Sequence, residues 1–263
     1  MNKTILITGA TDGIGLLTAQ TLAQRGHTVL IHGRNADKLD LAAQTIGTDI
    51  QTYRTDLSSL DETRDMAQRI LADHTHLDVL MNNAGVLKTP HPTLANGQDV
   101  RFVVNTIAPY ILTNLLLPII PSDGRILNLS SAAQAPIDIA ALNGERSLDD
   151  MASYAQSKLA ITIWSQVMAA ERTDGPCVIA VNPGSLLATK MVKKGFGVAG
   201  HDLRIGSDIL CRLALEGEYQ NASGKYWDND AGAFAAPHPS ALDPQHVDAV
   251  MNAIITQTAA PVS

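Results

Sequence analysis

The chain has 263 residues, with 45% hydrophobic and 17% charged residues and a formal net charge of −7. Charged residues typically make up about 25% of a globular sequence, so this composition excludes a disordered chain and suits a large buried core. The acidic balance, without an extended Lys or Arg run, argues against nucleic acid as a partner.

The two cysteines, Cys177 and Cys211, show neither metal-ligand nor disulfide-framework spacing. Cys177 lies in an apolar strand-like run, so we expect an inert thiol in a reducing compartment. The eight histidines are scattered, and we expect no metal site. The first strand follows Met1 too closely for a signal peptide, and no run of 18 apolar residues could span a membrane. These features predict a cytoplasmic protein.

The first predicted strand is the apolar run TILIT at residues 4–8, and it is followed by a glycine-rich loop and a helix-like segment at residues 16–25. Glycines let a backbone approach a phosphate closely, and the helix N-terminus offers unpaired N–H groups to an anion. An ordinary tight turn is the alternative interpretation. The candidate ligands in this loop are Gly9, Thr11, Asp12, Gly13, Ile14 and Gly15.

Short apolar runs rich in β-branched residues recur along the chain, separated by longer segments with helical periodicity. They lie at residues 28–32, 50–54, 77–82, 125–129, 176–182 and 225–227. This alternation predicts a doubly wound, mostly parallel α/β sheet of about seven strands with helices on both faces. Open sheets of this kind reach 263 residues as one domain, and they bind ligands at the carboxyl ends of the strands.

Tyr154 and Lys158 stand four residues apart in a segment of good helix formers, so on a helix they share a face. A lysine ammonium beside the phenol would favour its charged form and lower its pKa from about 10. Such a tyrosine gives or takes a proton near neutral pH. An isolated pair usually means a half-buried aromatic beside a solvated charge, and the glycine loop is what favours the catalytic interpretation.

Four motifs in this order resemble the short-chain dehydrogenase/reductase superfamily. They are TGxxxGxG at residues 8–15, NNAG at 82–85, YxxxK at 154–158 and an NPG element at 182–184. The resemblance runs to about residue 190. It implies a single-domain Rossmann fold over residues 1–263 and an enzyme that transfers hydride between a nicotinamide cofactor and an alcohol or carbonyl group.

The residues after the second strand favour NADP(H) over NAD(H). Gly33 stands where an acidic side chain would hold the ribose 2′-hydroxyl of NAD, and Arg34 can form charge-assisted bonds to a 2′-phosphate. The opposing interpretation makes Arg34 a solvated residue at a helix start, and Asp12 is not the basic residue that many NADP-using relatives carry. The resemblance further implies adenosine contacts from Asp56, Leu57, Asn83, Ala84 and Gly85.

The resemblance also implies the catalytic positions. Ser131, the second serine of ILNLSS, matches the residue that hydrogen-bonds the substrate oxygen, with Ser130 as the alternative. Asn105 matches the asparagine that holds a water in the proton path to the lysine, or else simply braces its helix. Contacts to the nicotinamide half of the cofactor are implied for Tyr154, Lys158, Pro183, Gly184 and Thr189.

Residues 132–152 lengthen the stretch between Ser131 and Tyr154 compared with many relatives. A similar insertion is found in the subgroup resembling retinol dehydrogenases and the WW-domain-containing oxidoreductase, whose members often use NADP and act on hydrophobic carbonyls. We interpret the acidic residues of the insertion as a solvated face; they are Asp138, Glu145, Asp149 and Asp150. The glycine-rich residues 190–204 are expected to form a mobile lid over the substrate.

The predicted activity is therefore an NADP(H)-dependent oxidoreductase for a small or hydrophobic carbonyl or alcohol. Ser131 would polarise the carbonyl, Tyr154 would exchange the proton, and Lys158 would lower the tyrosine pKa and bind the nicotinamide ribose. A non-catalytic NADP(H)-binding regulator on the same fold is the alternative. A sugar-nucleotide epimerase or dehydratase would need a larger C-terminal region. Relatives commonly assemble through the helices near residues 96–117 and 153–172, which predicts a homodimer or homotetramer.

Overall fold

One sheet of eight strands, in the order β3-β2-β1-β4-β5-β6-β7-β8, organises the computed structural model, which describes residues 2–47 and 50–259. The strands are β1 (Thr4–Ile7), β2 (Thr28–Gly33), β3 (Gln51–Arg54), β4 (Val79–Asn82), β5 (Arg125–Leu129), β6 (Cys177–Asn182), β7 (Tyr226–Asp228) and β8 (Ala233–Ala235). The pairings from β1 to β7 are all parallel, and β8 adds an antiparallel edge.

The seven predicted strands are confirmed, and the eighth is a difference from the prediction. Its sequence, Ala-Phe-Ala, carries no run of β-branched residues, and it pairs with β7 through a tight connection of four residues, 229–232. The predicted domain limits at residues 1 and 263 lie outside the described residues.

Helices cover both faces of this sheet. They are α1 (Gly13–Gln24), α2 (Ala36–Ile46), α3 (Leu60–Asp73), α4 (Val100–Phe102), α5 (Ala108–Leu116), α6 (Ile139–Leu142), α7 (Asp150–Glu171), α8 (Lys190–Phe196), α9 (Arg204–Leu215) and α10 (Pro244–Ala259). Helices α3, α5, α7 and α10 enclose one hydrophobic core, and α1, α2 and α9 enclose the other. In β1, Leu6 enters the first core while Ile5 and Ile7 enter the second. Both faces of the strand are therefore buried, as is usual in parallel sheets.

The strand order places the loops that follow β1, β4, β5 and β6 at one edge of the sheet. The chain leaves β1 toward β2 and β3 on one side and resumes at β4 on the other, so a crevice opens at the carboxyl ends of β1 and β4. The glycine loop follows β1, the NNAG motif ends β4, the serine pair follows β5 and the NPG element ends β6. These four segments thus meet at this edge.

The glycine loop is held by a buried histidine. Gly9 has a left-handed backbone (φ +66°), and a Cβ on it would lie 2.7 Å from Ala84 Cα. The Gly9 N–H donates to Nδ1 of His32 at 3.1 Å, while Nε2 of His32 lies 3.0 Å from the Thr55 carbonyl oxygen. His32 therefore connects the ends of β1, β2 and β3, with its Nε2 protonated and its Nδ1 accepting.

One helical segment, Val100–Ile119, is long and apolar enough by composition to cross a bilayer. Its most apolar window is 67% buried inside the fold, where its α5 part packs against α3. The core helix of a folded domain meets the same two criteria.

The substitution His32→Asn should change how stability depends on pH. Burial lowers the pKa of His32 to about 4, against the opposing effect of its hydrogen bond to Thr55. Below pH 6.5 the His32 side chain binds a proton in the unfolded chain but stays neutral in the folded protein. The free energy of unfolding should therefore fall by about 1.4 kcal/mol per pH unit down to pH 4. Urea unfolding of both proteins from pH 7.5 to 4 measures this difference.

The variant should show a shallower loss of stability than the parent over that range. His91→Asn, at an exposed histidine, serves as the control and should retain the parent slope. Parallel curves for the parent and His32→Asn would contradict a neutral, hydrogen-bonded His32 beneath the glycine loop.

Candidate active site

A cleft of about 430 Å³ runs along the carboxyl edge of the sheet. Every residue predicted to bind the cofactor lines it, together with Ser131, Tyr154 and Lys158. Asn105 is not among its lining residues in the described part of the chain. Residues that line the cleft without having been predicted include His32, Asn35, Lys38, Val86, Val104 and Leu187, and the cleft is also lined by Lys190, Met191 and Val192 of the predicted lid.

Two cationic side chains stand at the β2 end of the cleft. Arg34 and Lys38 are both exposed and both line it. Asn35 caps α2 by accepting the Lys38 N–H at 2.9 Å, so Arg34 lies just before the helix and Lys38 in its first turn. A Cβ at Gly33 would lie 2.3 Å from the Thr11 methyl group, which leaves no room for an acidic side chain there. The sequence spacing of Arg34 and Lys38, about one helical turn, could have predicted that both side chains lie at the same end of the cleft.

The start of α1 follows the glycine loop directly, as the glycine motif predicts. Asp12 caps the helix by accepting the Gly13 N–H at 2.8 Å. Its other carboxylate oxygen lies 2.6 Å from the Lys190 ammonium, at the start of α8. The negative charge of Asp12 is thus paired across the cleft mouth, which reconciles an acidic residue with a phosphate-binding loop.

The predicted NNAG motif closes the floor of the cleft. The Thr8 hydroxyl accepts the N–H groups of Asn83 and Ala84, each at 3.0 Å. The Asn83 side-chain amide donates to the carbonyls of Thr8 and Gly9 at 2.8 and 3.1 Å. These bonds fix the end of β4 against the end of β1, so the motif serves as a brace as well as a wall of the cleft.

Tyr154 and Lys158 lie on the same face of α7, as their spacing predicted. The Lys158 ammonium is 5.6 Å from the centre of the Tyr154 ring and donates to the Leu129 carbonyl oxygen at 2.6 Å. Lys158 is 4% exposed, and burial lowers its pKa to about 8. The lysine is therefore held at the end of β5, beneath the tyrosine.

The predicted direction of the Tyr154 pKa shift is wrong for this structure. Burial raises the pKa of Tyr154 and outweighs the Ser131 hydroxyl, which acts in the opposite direction. A phenol shielded from water disfavours its charged form, and this desolvation exceeds the effect of the neighbouring groups.

Ser131 and Ser130 have different environments. The Ser130 hydroxyl is buried and donates to the Lys158 carbonyl oxygen at 2.8 Å, so it anchors α7. Ser131 is partly exposed and lines the cleft beside Tyr154. Its carbonyl oxygen accepts hydrogen bonds from Tyr226 Oη at 3.0 Å and Gln134 Nε2 at 2.9 Å. This geometry favours Ser131 as the serine that faces a ligand.

Asn105 lies in a π-helical turn, Val103–Ile107, between α4 and α5. Its side chain bonds the N–H and carbonyl of Val86 at 2.8 and 2.9 Å and donates to Ser157 Oγ at 2.9 Å. Such turns in helices frequently mark functional sites. These bonds support the bracing interpretation; the water-holding role stays a prediction.

The NPG loop after β6 is held by the turn that follows β7. The Asn182 amide donates to Asp228 and Asp230 at 2.8 and 2.9 Å, and the Asn229 amide donates to the Pro183 carbonyl at 3.0 Å. Thr189 then caps α8 by accepting the Val192 N–H at 3.1 Å. Helix α8 lies within the predicted lid. The lid segment thus begins as a helix, and its loop follows from residue 197.

The insertion at residues 132–152 is not simply a solvated acidic face. Asp138 caps α6 by accepting the Ala140 N–H at 3.0 Å, and Asp149 caps α7 by accepting the Ala152 N–H at 2.8 Å. Asp150 pairs with the buried Arg101. Glu145 is exposed, as predicted. Within residues 2–47 and 50–259, no three His, Cys, Asp or Glu side chains gather into a metal-ligand group.

A tyrosine, a lysine and a serine at one end of such a cleft define an oxidoreductase that acts on alcohol or carbonyl groups. The family model for short chain dehydrogenases matches residues 3–196, and the chain belongs to this family.

Relatives with known names agree with this assignment. The chain is 33% identical to retinol dehydrogenase 13 of Mus musculus, over 92% of this chain and 79% of that protein. It is 34% identical to the Homo sapiens protein of the same name, over 92% of this chain and 80% of that protein.

Solved structures share the fold. A protein from Mycobacterium paratuberculosis superposes with a TM-score of 0.82 at 26% identity, over 99% of this chain and 95% of that one. A short chain dehydrogenase from Escherichia coli complexed with NADPH gives a TM-score of 0.69 at 29% identity, over 87% and 97% of the two chains.

The substitution Lys158→Met should stabilise the protein in the absence of cofactor. Holding the lysine pKa at about 8 in the fold, below its value in the unfolded chain, costs about 3 kcal/mol at pH 7. Loss of the bond to Leu129 offsets about 1 kcal/mol of this. Above pH 8 the folded lysine loses its proton, and with it the burial cost, while the unfolded lysine keeps its proton to higher pH. The stability gained in Lys158→Met should therefore shrink as the pH rises from 8 to 10.5.

Thermal and urea unfolding at pH 7 and pH 10 measure the effect. Lys194→Met, at an exposed lysine, is the matched control and should change stability little. A Lys158→Met protein less stable than its parent at pH 7 would contradict the burial cost assigned to the ammonium.

Proposed function

We propose that the protein transfers hydride between NADP(H) and the alcohol or carbonyl group of a small or hydrophobic molecule. The observation that carries the proposal is the placing of Ser131, Tyr154 and Lys158 at one end of a cleft whose other end holds Arg34 and Lys38. A ligand with an anionic adenosine half and a reactive group at its far end matches that distribution.

The described residues fit the cofactor. The glycine loop and the N-terminus of α1 suit the pyrophosphate, and the absence of space for a side chain at position 33 disfavours an acidic contact to a free ribose hydroxyl. Arg34 and Lys38 would hold a 2′-phosphate, since both cations reach the same end of the cleft. The NADPH complex of the Escherichia coli relative supports this choice.

The bound nicotinamide supplies or accepts the hydride. Tyr154 would donate a proton to the carbonyl oxygen in reduction, or accept one from the alcohol in oxidation, while the Ser131 hydroxyl hydrogen-bonds the same oxygen. The Lys158 ammonium lies 5.6 Å from the centre of the tyrosine ring, near the phenol that would exchange the proton. Lys158 also lies close to Gly85, since a Cβ there would be 3.5 Å from its Nζ, and there it would hold the nicotinamide ribose.

The catalytic end of the cleft favours a hydrophobic substrate. Its lining includes the apolar residues Val86, Val104 and Leu187, together with Met191 and Val192 of the lid segment. Apolar side chains with a small number of polar groups are the usual lining of a site for a hydrophobic ligand. The similarity to proteins named retinol dehydrogenase supports the same class of alcohol and aldehyde. The homo-oligomer and the cytoplasmic location stay predictions.

The substitution Tyr154→Phe should abolish turnover while sparing the cofactor. Removing the proton donor should lower kcat by about 10²- to 10⁴-fold, and the Kd for NADPH should be unchanged because the ring is retained. NADPH oxidation at 340 nm over a panel of aldehydes, ketones, quinones and retinoids measures turnover, and NADPH fluorescence measures binding.

Retained activity in Tyr154→Phe would remove Tyr154 from the proton transfer. NADPH binding to the parent without turnover of any carbonyl would instead favour the alternative function, a non-catalytic NADP(H)-binding regulator.

The substitutions Arg34→Ala and Lys38→Ala should each weaken the binding of NADPH more than the binding of NADH. Loss of one charge-assisted bond to the 2′-phosphate is worth about 1.5–3 kcal/mol, or roughly ten- to a hundredfold in Kd. Titration with both cofactors measures the difference. Arg54→Ala, at an exposed arginine on the neighbouring strand, is the control. Equal losses for NADPH and NADH would contradict a 2′-phosphate site.

A further inference from the structure

Arg101 is a charged side chain in the protein interior, 1% exposed. Its Nε and Nη2 donate to the two carboxylate oxygens of Asp99 at 2.8 and 2.6 Å. Its Nη1 donates to the carboxylate of Asp150 and lies 3.4 Å from the Leu87 carbonyl oxygen. One guanidinium therefore contacts the start of α4, the loop after β4 and the first residue of α7.

An arginine is suited to this place because of its shape. The planar guanidinium presents donors in a fixed fork, so it can bind Asp99 with two groups and direct a third toward Asp150. Removing a charged side chain from water is expensive, and a buried ion pair adds little net stability compared with apolar packing. The arrangement is better explained by the orientation it imposes on the segments it joins.

Those segments carry the reacting groups. The Ser153 hydroxyl, also buried, donates to Asp99 at 2.8 Å, and Ser153 directly precedes Tyr154. Asp150 lies one helical turn before Tyr154 on the same side of α7. Helix α4, which begins beside Arg101, continues into the π-helical turn that contains Asn105. The position of the guanidinium thus determines how the first turn of α7 packs relative to the π-helical turn.

We infer that Arg101 is a positioning residue, which with Asp99 holds the first turn of α7 so that the Tyr154 hydroxyl stays aligned with Ser131 and Lys158. The inference rests on the proposed function, because it concerns the alignment of its proton donor. Arg101 acts through α7, since it is not among the residues that line the cleft in the described part of the chain.

The experiment compares three variants. Arg101→Lys keeps the charge and removes the fork. Asp150→Asn removes the negative charge that pairs with Arg101 on α7, at a side chain that is 41% exposed, and leaves the pair with Asp99. Arg125→Lys is the matched control, because Arg125 is also buried at 6% exposure and donates to backbone carbonyls of Leu213 and Glu216, at the end of α9.

The kinetic probe is 4-nitrobenzaldehyde or all-trans-retinal, whichever the parent reduces with NADPH. Arg101→Lys should lower kcat about ten- to a hundredfold, as small misplacements of a reacting group do. Its Kd for NADPH and its KM should stay within about twofold of the parent values. Asp150→Asn should change kcat in the same direction by less, and Arg125→Lys should leave it unchanged.

A second readout needs no turnover. Amide hydrogen exchange of residues 150–157 should become faster in Arg101→Lys and stay at the parent rate in Arg125→Lys, because only the first variant releases the first turn of α7. Thermal unfolding of all variants shows how far each is destabilised as a whole.

An unchanged kcat in Arg101→Lys, or equal losses of kcat in Arg101→Lys and Arg125→Lys, overturns the inference. If Arg101→Lys does not fold, Asp150→Asn decides: a lower kcat at unchanged Kd supports the inference, and an unchanged kcat overturns it. A parent without turnover refutes the proposed function instead, and the exchange of residues 150–157 then supports or overturns, on its own, the hold of Arg101 on the first turn of α7.

Discussion

The site depends on one lysine ammonium held out of water. Lys158 is almost fully buried, and its ammonium donates to the Leu129 carbonyl at the end of β5. A charge in such a place is tolerated only where the surrounding structure is fixed before the ligand arrives. The ammonium reaches Leu129 because α7 lies directly against the carboxyl edge of the sheet.

Other contacts hold the backbone of α7 at the same point. The Ser130 and Thr106 hydroxyls donate to the carbonyls of Lys158 and Ser157 at 2.8 and 2.9 Å. The Asn105 amide reaches the Ser157 hydroxyl from the π-helical turn. Two neighbouring segments, the end of β5 and the π-helical turn, therefore bond two consecutive residues of α7, and this fixes both the rotation and the axial position of the helix that carries Tyr154.

The sequence predicted the parts of this design that depend on local pattern. The apolar run of β1, the glycine spacing and the separation of Tyr154 from Lys158 are short-range patterns, and the structure contains each of them. It could not predict the role of Asp150 or the pKa direction of Tyr154. Both depend on burial: Asp150 lies beside a guanidinium 49 residues earlier in the chain, and the phenol is desolvated by residues from several segments. The charge-rich insertion has no periodicity from which the contact between Asp150 and Arg101 could have been predicted.

The two halves of the cleft differ in how they are built. At the β2 end, Arg34 and Lys38 are placed by one strand end and one helix cap, so a few consecutive residues suffice. At the catalytic end, the NPG loop and the Ser131 carbonyl are both bonded by residues of the 226–230 segment, which lies beyond the family match at residues 3–196. Residues beyond the family match therefore hold the NPG loop and the backbone of Ser131 in place. The cofactor end of the cleft is thus built from local sequence, whereas the catalytic end depends on contacts between distant parts of the chain.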